Sequence, residues 1–267
     1  MHKALTIAGS DSGGGAGIQA DLKTFMAHGV YGASAITGIT AQNTLGVQAV
    51  ELLSPDLVAA QITSVLDDIG ADAVKTGMLG ATPIIERVAE ILRRYAVRRL
   101  VVDPVMVAKS GDRLLAADAV NALREVLLPL ALLITPNLPE ASVLLGRPVN
   151  QEAEMHAAAR DLHALGPRYV LLKGGHLSGD AVDLLYNGDT YIELRAARIP
   201  TRHTHGTGCT YAAAITALLA RGLPVEQAVR QAREYLLGAI AAARPIGGGQ
   251  SPVQHLWRGL PAIEEED

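Results

Sequence analysis

Residues 203–211 read His-Thr-His-Gly-Thr-Gly-Cys-Thr-Tyr and directly precede an apolar run at 212–220. An apolar run of this length predicts the body of a helix. Gly206 and Gly208 permit backbone conformations with positive φ and a close approach to a ligand. Unpaired N–H groups at a helix start, together with the helix dipole, attract anions. We therefore predict that this stretch binds a phosphate, or the charge that develops on one during transfer. An ordinary turn with Gly and Thr caps is the alternative.

Polar side chains follow several of the strand-like runs of the sequence. Strand-like and helix-like runs alternate along most of the chain, which predicts βαβ units and a three-layer α/β/α fold with a mostly parallel central sheet. Ligands bind such sheets beyond the carboxyl ends of the strands. The helix near Cys209 would close the same edge. The polar residues expected there are Asp11, Gln42, Asp103, Asn137, Glu140 and Lys173.

The predicted elements follow from hydrophobic periodicity and from the positions of glycine and proline. Residues 187–189, Asn-Gly-Asp, predict a hairpin turn between two strands, and Thr82 is predicted to cap a helix that begins with Pro83. Because no linker or repeat divides the chain, residues 1–267 are predicted to form a single domain. Strands are predicted at 5–8, 31–39, 47–52, 73–75, 100–103, 131–134, 169–172, 181–186 and 190–199, and helices at 18–28, 55–69, 83–95, 118–128, 139–145, 151–165, 210–221 and 225–243.

The composition argues against several classes of protein. Hydrophobic residues make up 49% of the 267 residues, which is enough for a large core. A net charge of −4 and the lack of basic blocks argue against binding to nucleic acid or to a membrane surface. Cys209 is the only cysteine, so an intramolecular disulfide is impossible and a reducing cytoplasm fits. The sequence has neither a signal-peptide pattern nor a bilayer-spanning run, and we predict a cytoplasmic protein.

Two common nucleotide-binding motifs fit the sequence poorly. The pattern G-x-x-x-x-G-K-[ST] does not occur, which excludes a P-loop enzyme. Residues 15–20 match G-x-G-x-x-A, but these glycines come several residues after the first strand ends. The second strand closes on Gln42 and Asn43 rather than on an acid that would hold a ribose. A dinucleotide site is therefore disfavoured.

Nine stretches, in order along nearly the whole chain, resemble the hydroxymethylpyrimidine/phosphomethylpyrimidine kinases of thiamine biosynthesis, which belong to the ribokinase-like superfamily. One small departure is Asp-Ser-Gly at 11–13, where many members have Asp-Pro-Ser. The resemblance implies a ribokinase-like fold and a homodimer. It also implies that ATP and Mg²⁺ serve to phosphorylate 4-amino-5-hydroxymethyl-2-methylpyrimidine, and then its monophosphate to the diphosphate. The matching stretches are LTIAGSD (5–11), GGAGIQADLKTF (14–25), AQNT (41–44), KTGML (75–79), DPVM (103–106), AKSG (108–111), TPNLPE (135–140), KGGH (173–176) and THGTGCT (204–210).

The resemblance and the residue chemistry together indicate how ATP and Mg²⁺ would be held. Lys173 ends a strand, where its ammonium would bind the ATP phosphates, with Asn137 and Thr204 in the same site. Asp103 and Glu140 are the predicted Mg²⁺ ligands, in part through water, because Mg²⁺ keeps much of its hydration. Glu140 is also placed to stabilise a helix as a first-turn acid, and the two roles are compatible.

Cys209 is the predicted base for the hydroxymethyl proton. Most of the superfamily has an aspartate there, and a helix N-terminus lowers the pKa of a cysteine, which favours a thiolate. A small apolar residue under the substrate is the alternative. A metal site of His203, His205 and Cys209 lacks a second ligand cluster and is disfavoured. The backbone of residues 206–209, which are Gly206, Thr207, Gly208 and Cys209, would form the anion hole for the γ-phosphoryl. Gly206 and Gly208 would also bind ATP.

Gln42 is the predicted pyrimidine-binding residue, because its amide offers a donor and an acceptor side by side, as an aminopyrimidine edge requires. Asp21 would contact the ring or support the loop, and an exposed helix acid is the alternative. Met78 and Val105 would line the faces of the ring, although methionine is commonly a core residue. Gly9 would let the backbone approach the substrate.

Three functions follow from these residues. The first is the pyrimidine kinase. The second is a pyridoxine or pyridoxal kinase, a relative of the same fold whose substrate also carries a hydroxymethyl group on an aromatic ring. The third is a non-catalytic sensor, which the intact Asp103, Lys173 and glycine-rich stretch disfavour.

Overall fold

The computed structural model describes residues 1–106, 115, 116, 118–175 and 179–259. The described strands are β1 (Lys3–Asp11), β2 (Tyr31–Asn43), β3 (Gly46–Leu52), β4 (Ala73–Thr76), β5 (Leu100–Val102), β6 (Leu133–Ile134), β7 (Tyr169–Lys173), β8 (Ala181–Tyr186) and β9 (Tyr191–Ala196). The described α-helices are α1 (Gly17–Ala27), α2 (Pro55–Asp68), α3 (Thr82–Arg94), α4 (Ala119–Ala122), α5 (Leu138–Leu145), α6 (Met155–His163), α7 (Thr207–Ala220) and α8 (Val225–Ala241).

All described strands form one sheet in the order β3-β2-β1-β4-β5-β6-β7-β8-β9. The central pairs, from β2–β1 through β6–β7, are parallel. The pairs β2–β3, β7–β8 and β8–β9 at the two edges are antiparallel. The prediction of a mostly parallel central sheet is therefore confirmed.

Two apolar cores lie on opposite faces of the sheet. Strand residues alternate between them: Leu5 and Ile7 of β1 belong to one core, which also contains residues of α2 to α6, and Ala4 belongs to the other, with α1, α7 and α8. Parallel strands buried on both faces read as continuous hydrophobic runs, as these do. Helix α7 is buried all along residues 210–220, and its many alanines let it pack closely on the centre of the sheet. The three-layer α/β/α fold is confirmed.

Several predicted boundaries were wrong. Ala81, and not Thr82, is the N-cap of α3, and no side chain caps that helix end. The predicted helix 118–128 is α4 followed by a wide π turn over Leu123–Leu127 and a 3₁₀ turn over Leu128–Leu130. Pro129 explains this break, because it lacks an N–H group and its ring clashes with regular helix geometry. The predicted helix 151–165 likewise begins with a 3₁₀ turn, Glu152–Glu154, before α6.

No helix among the described residues combines the length and the apolar character that a membrane crossing needs.

Candidate active site

Polar groups from several elements meet at the carboxyl edge of the parallel strands. β1 ends at Asp11, Asp103 follows β5 directly, and β7 ends at Lys173. Asn137 forms a β-bridge with Lys173. Helix α7 begins at the same edge: a Cβ added to Gly208 would lie 3.5 Å from Lys173 Nζ and 3.8 Å from Asp103 Oδ2. The structure thus brings the glycine-rich helix start, the lysine and the aspartate together.

The start of α7 depends on the close approach of two glycine-containing segments. Gly206, the N-cap, has φ 76°, and a Cβ on it would lie 1.8 Å from the carbonyl oxygen of Gly15. Only glycine satisfies both conditions. Thr207, Gly208 and Cys209 form the first turn of the helix, with Thr207 N–H directed to Thr204 O at 3.4 Å. The first N–H groups of a helix have no intrahelical partner, so this turn is built to accept an anion.

Gly206→Ala and Gly222→Ala form a matched pair that separates backbone strain from site damage. Gly222 also has positive φ, 90°, but nothing lies within 4 Å of its would-be Cβ. We expect Gly222→Ala to lower the free energy of unfolding by about 1–2 kcal/mol, and Gly206→Ala to lower it further because its Cβ would also clash with the Gly15 carbonyl. Only Gly206→Ala pushes the helix start away from Gly15, and we expect it to lower turnover about 100-fold. Denaturant unfolding and initial rates measure the two effects, and equal turnover in the two variants would contradict this reading of Gly206.

Cys209 is half-buried at the foot of the site and is a thiol rather than a thiolate. Burial raises its pKa to about 11. Lys75 and the Gly17 N–H group favour the thiolate, but the carboxylates of Asp21 and Asp103 act against them. The expectation of a lowered pKa was therefore wrong. The helix terminus does not compensate for the removal of the thiol from solvent or for the negative charge of two nearby carboxylates. A base role for Cys209 then requires the thiol to lose its own proton to solvent before it accepts one from the substrate.

Lys173 and Asp103 form an ion pair that is almost entirely buried. Lys173 Nζ lies 3.1 Å from Asp103 Oδ1, which also accepts a hydrogen bond from Thr135 Oγ1 at 2.9 Å. Burial alone would raise the pKa of Asp103, but Lys173 and the other nearby donors outweigh it and hold the pKa below its usual value. Burial opposes the charge on Lys173, but Asp103 and Glu140 raise its pKa overall. Both groups are therefore charged at neutral pH.

Glu140 and Asn137 form a capping box at the start of α5. Asn137 Oδ1 accepts the Glu140 N–H and Glu140 Oε2 accepts the Asn137 N–H, each at 2.8 Å. Burial and the nearby Asp103 raise the pKa of Glu140 to about 7, against the attraction of Lys173. The helix-stabilising role of Glu140 is thus present. The side-chain oxygen of Asn137 is already engaged in the cap.

The donor set fits Mg²⁺ as a partner. The negative charge of Asp103 raises the cost of ionising Glu140, and a divalent cation relieves such repulsion between carboxylates. No group of three or more His, Cys, Asp or Glu residues suited to a metal occurs among the described residues, which also leaves the trio His203, His205 and Cys209 without support. Two carboxylates are sufficient for Mg²⁺, which is commonly held by one or two carboxylates plus substrate phosphates and water.

Gly9 and Met78 lie against each other beside β2. A Cβ on Gly9 would lie 2.5 Å from Met78 Cε, and Met78 Cε is also 3.3 Å from the position of a Cβ on Gly38. Met78 is buried, so at most its edge faces the site. Val105 is half-buried just after Asp103, where its N–H donates to the Asp103 carbonyl at 2.8 Å. Gly9, Met78 and Val105 lie towards the carboxyl edge of the sheet, where Gln42 also lies.

Gln42 is half-buried near the end of β2 and faces the α7 motif. Its Nε2 lies 3.5 Å from His205 Nε2, and its Oε1 accepts a hydrogen bond from Thr40 Oγ1 at 3.1 Å. A small cavity beside it is lined by Gln42, Asn43, Thr44, Leu45, Gly46, His205 and Gln250. The amide predicted to recognise the ring therefore opens onto a cavity next to the anion hole.

Asp21 is buried in a pair with Lys75, away from the surface of the site. Its side chain has no exposed surface and accepts hydrogen bonds from Lys75 Nζ at 2.8 and 2.9 Å and from Thr6 Oγ1 at 2.6 Å. The alternative of an exposed helix acid is wrong. Asp21 is the partner of a buried lysine beneath the site, and its negative charge acts on Cys209.

Asp11 and His205 organise the loop between β1 and α1. Asp11 accepts hydrogen bonds from the N–H groups of Gly13, Gly15 and Ala16 at 2.8–3.1 Å. Its Oδ2 also lies 2.9 Å from His205 Nε2. No role was predicted for this pair beyond the position of Asp11 at the edge. A turn-forming Asp-Ser-Gly sequence was the available signal for Asp11, whereas its pairing with His205 needs the tertiary structure.

A segment after α8 closes the site from the other side. His205 N–H donates to Ser251 O at 3.2 Å, and His205 forms a β-bridge with Pro252. Gly249 N–H donates to Thr44 Oγ1 at 3.1 Å. Residues 249–252 therefore connect the β2–β3 turn to the motif that opens α7. The only hint of this contact among the residue types is the Gly247-Gly248-Gly249 run, which breaks the helical pattern.

A helix start that faces a lysine and two carboxylates across the carboxyl edge of this three-layer fold defines the ribokinase-like class of phosphotransferases. A family model described as phosphomethylpyrimidine kinase matches residues 11–254. The hydroxymethylpyrimidine/phosphomethylpyrimidine kinase of Rhizobium meliloti is 57% identical over 259 residues, which cover 96% of this chain and 97% of the relative. The chain belongs to the phosphomethylpyrimidine kinase family.

Solved structures agree with this assignment of the fold. The Bacillus subtilis pyridoxal kinase in an ADP complex has a TM-score of 0.91 and 45% identity, covering 98% of this chain and 100% of that one. A Clostridium difficile phosphomethylpyrimidine kinase has a TM-score of 0.80 and 46% identity, covering 90% of this chain and all of that one.

Proposed function

We propose that the protein is an ATP-dependent kinase of thiamine biosynthesis. It phosphorylates 4-amino-5-hydroxymethyl-2-methylpyrimidine and then phosphorylates the monophosphate to the diphosphate. The observation that carries the proposal is the α7 start with Lys173 and Asp103 within reach of it, at the carboxyl edge where Gln42 also lies against His205 of the same motif. The name and full-length similarity of the Rhizobium meliloti relative support the choice of substrate.

The phosphoryl group is transferred mainly by positioning and by neutralising charge, because a loose transition state requires little covalent chemistry from the protein. N–H groups of Gly206, Thr207 and Gly208 bind the transferring group, and the Lys173 ammonium binds the ATP phosphates. Asn137 and Thr204 border the same ATP site. Asp103 and Glu140 would hold Mg²⁺, which would supply further charge neutralisation.

On the acceptor side, the Gln42 amide binds the aminopyrimidine edge, while Gly9, Met78 and Val105 contact the ring. Cys209 receives the proton of the hydroxymethyl group during the first phosphorylation. The form that accepts the proton is the thiolate, which a pKa of about 11 leaves as a minor fraction at neutral pH, and Cys209 becomes a thiol as it takes the proton.

Incubation with ATP and Mg²⁺ tests the proposal directly. We expect mass spectrometry to detect first the monophosphate and then the diphosphate of the pyrimidine. Pyridoxal and pyridoxine serve as competing substrates, because the Bacillus subtilis neighbour in the ADP complex is a pyridoxal kinase. Turnover of pyridoxal alone would overturn the proposed substrate.

We also propose that residues 1–267 act as one domain and that two copies form a homodimer. The apolar side chains of Ile39, Leu45 and Val50 are 42–72% exposed on the β2–β3 hairpin, at an open edge of the sheet, and a second copy would cover them. A cytoplasmic location is proposed because Cys209, at the foot of the site, functions as a reduced thiol.

A further inference from the structure

A buried ion pair lies directly behind Lys173. Asp183 is the register partner of Lys173 in the antiparallel pair β7–β8, so both side chains project from the same face of the sheet. Arg233, on α8, donates from Nη1 to Asp183 Oδ2, and the two side chains are only 9% and 8% exposed. With Asp103 on the far side of Lys173, four charges alternate in sign across the site: Asp103, Lys173, Asp183 and Arg233.

The same pair holds the backbone that follows Lys173. Gly174 N–H donates to Val182 O at 2.8 Å and also to Asp183 Oδ1 at 3.2 Å. Arg233 Nη2 donates to Ala181 O at 2.6 Å. A Cβ on Gly174 would lie 2.2 Å from Val182 O, so the chain passes close against β8 at this point. The ion pair is therefore bonded to the segment that carries the catalytic lysine.

Core packing alone does not account for these charges. The neighbours Val182, Leu184 and Leu185 in β8 are all buried and apolar. Replacing a buried ion pair by well-packed apolar residues is commonly neutral or stabilising, because desolvation offsets much of the attraction between the charges. A role tied to the position of Lys173 explains why charges occupy this place.

We propose that Asp183 and Arg233 are positioning residues for Lys173. Arg233 neutralises Asp183, which leaves the Lys173 ammonium directed towards Asp103 and the ATP phosphates instead of towards Asp183. Asp183 Oδ1 fixes Gly174 and thereby the end of β7. The inference rests on the proposed kinase function only for the identity of the phosphate donor.

Two neutral double variants test the inference without leaving a buried charge unpaired. Asp183→Asn with Arg233→Met keeps an oxygen acceptor for Gly174 N–H, whereas Asp183→Leu with Arg233→Met removes it. The matched control is Arg147→Met with Asp161→Asn, the same chemical change at an ion pair whose side chains are 40% and 51% exposed. Melting temperature, kcat and KM for ATP, Kd for Mg·ATP without acceptor, and Kd for the pyrimidine are measured in each.

We expect the Asn/Met variant and the surface control to stay within about threefold of wild type in kcat/KM for ATP. We expect the Leu/Met variant to fall about tenfold below the Asn/Met variant, with unchanged pyrimidine Kd and similar melting temperature. The single change Arg233→Met leaves Asp183 free to attract Lys173, and we expect its KM for ATP to rise further.

Equal kcat/KM for ATP in the two double variants would overturn the inference. A parallel loss of pyrimidine affinity in the Leu/Met variant would overturn it too, since that indicates general damage. If the wild type phosphorylates no pyrimidine, the proposed substrate fails, while the Kd for Mg·ATP still ranks the variants. If Arg233→Met does not fold, the two double variants decide the question.

Discussion

Replacement of Lys173 by alanine is expected to lower kcat by about 100- to 1,000-fold and to leave the Kd of the pyrimidine within about twofold of wild type. Loss of one preorganised donor to a developing anion costs about 2.7–4 kcal/mol of transition-state stabilisation, which corresponds to this range. The lysine ammonium lies 3.1 Å from Asp103 Oδ1 and near the start of α7, on the phosphate side of the site. Steady-state kinetics at saturating Mg·ATP and calorimetric titration with the pyrimidine separate the two quantities.

Lys3→Ala is the matched control. Lys3 begins β1, and Asp11 at the other end of that strand lies at the site. The Lys3 Nζ donates to Ile69 O, so the Lys3→Ala change removes a lysine charge far from the site. We expect wild-type kcat in this variant. An effect of Lys173→Ala confined to pyrimidine affinity would show that the lysine acts on the ring and not on the phosphates.

Replacement of Cys209 by serine is expected to slow the first phosphorylation by about 100-fold or more and to slow the second only slightly. A positioned base contributes about 10²–10⁴-fold, and a serine hydroxyl, unlike the cysteine thiol, does not ionise at accessible pH to a form that accepts a proton. The acceptor in the second step is a phosphate, already ionised near neutral pH because its second pKa is about 6. The two steps are measured separately, each with saturating ATP and Mg²⁺.

The pH dependence has a defined sign. Cys209 has a pKa of about 11, so at neutral pH it is protonated, and its thiolate fraction rises with pH until it passes that value. We expect the first step in the wild type to accelerate between pH 7 and pH 10 and the second step to lack this slope. Equal loss of both steps in Cys209→Ser would indicate a damaged anion hole. Wild-type rates in both would assign Cys209 to packing.

The central architecture was predictable because it depends on local patterns. Continuous apolar runs such as 100–102 identify strands buried on both faces, and alternation with amphipathic helices identifies the parallel sheet. The π turn at Leu123–Leu127 was not predictable in detail, since it reflects how the chain accommodates Pro129 within a packed layer. Element ends such as the N-cap of α3 likewise depend on tertiary contacts that a pattern of residue types does not contain.

The position of the candidate site was predictable where its residues follow one another in the sequence, as in the glycine-rich start of α7, or where they end or directly follow a strand, as Lys173 and Asp103 do. The site was not predictable where a charge depends on distant partners. An aspartate at position 21 is compatible with a solvated helix face and with a buried pair with Lys75. Only the tertiary structure distinguishes the two, and it shows the buried pair. The prediction of a lowered pKa for Cys209 was wrong for the same reason, because the groups that bury the thiol and the carboxylates near it come from other elements.

The contacts that close the site join the first part of the chain to the last. The pairing of Asp11 with His205 spans 194 positions, and that of Thr44 with Gly249 spans 205. Because the ribosome synthesises the chain from the N-terminus to the C-terminus, β1, β2 and the loop after β1 emerge before these partners have been synthesised. A nascent chain that has reached β9 already holds Gln42, Asp103 and Lys173 but has no anion hole. We therefore expect unfinished chains to lack phosphoryl-transfer activity until residues 249–252 have left the exit tunnel.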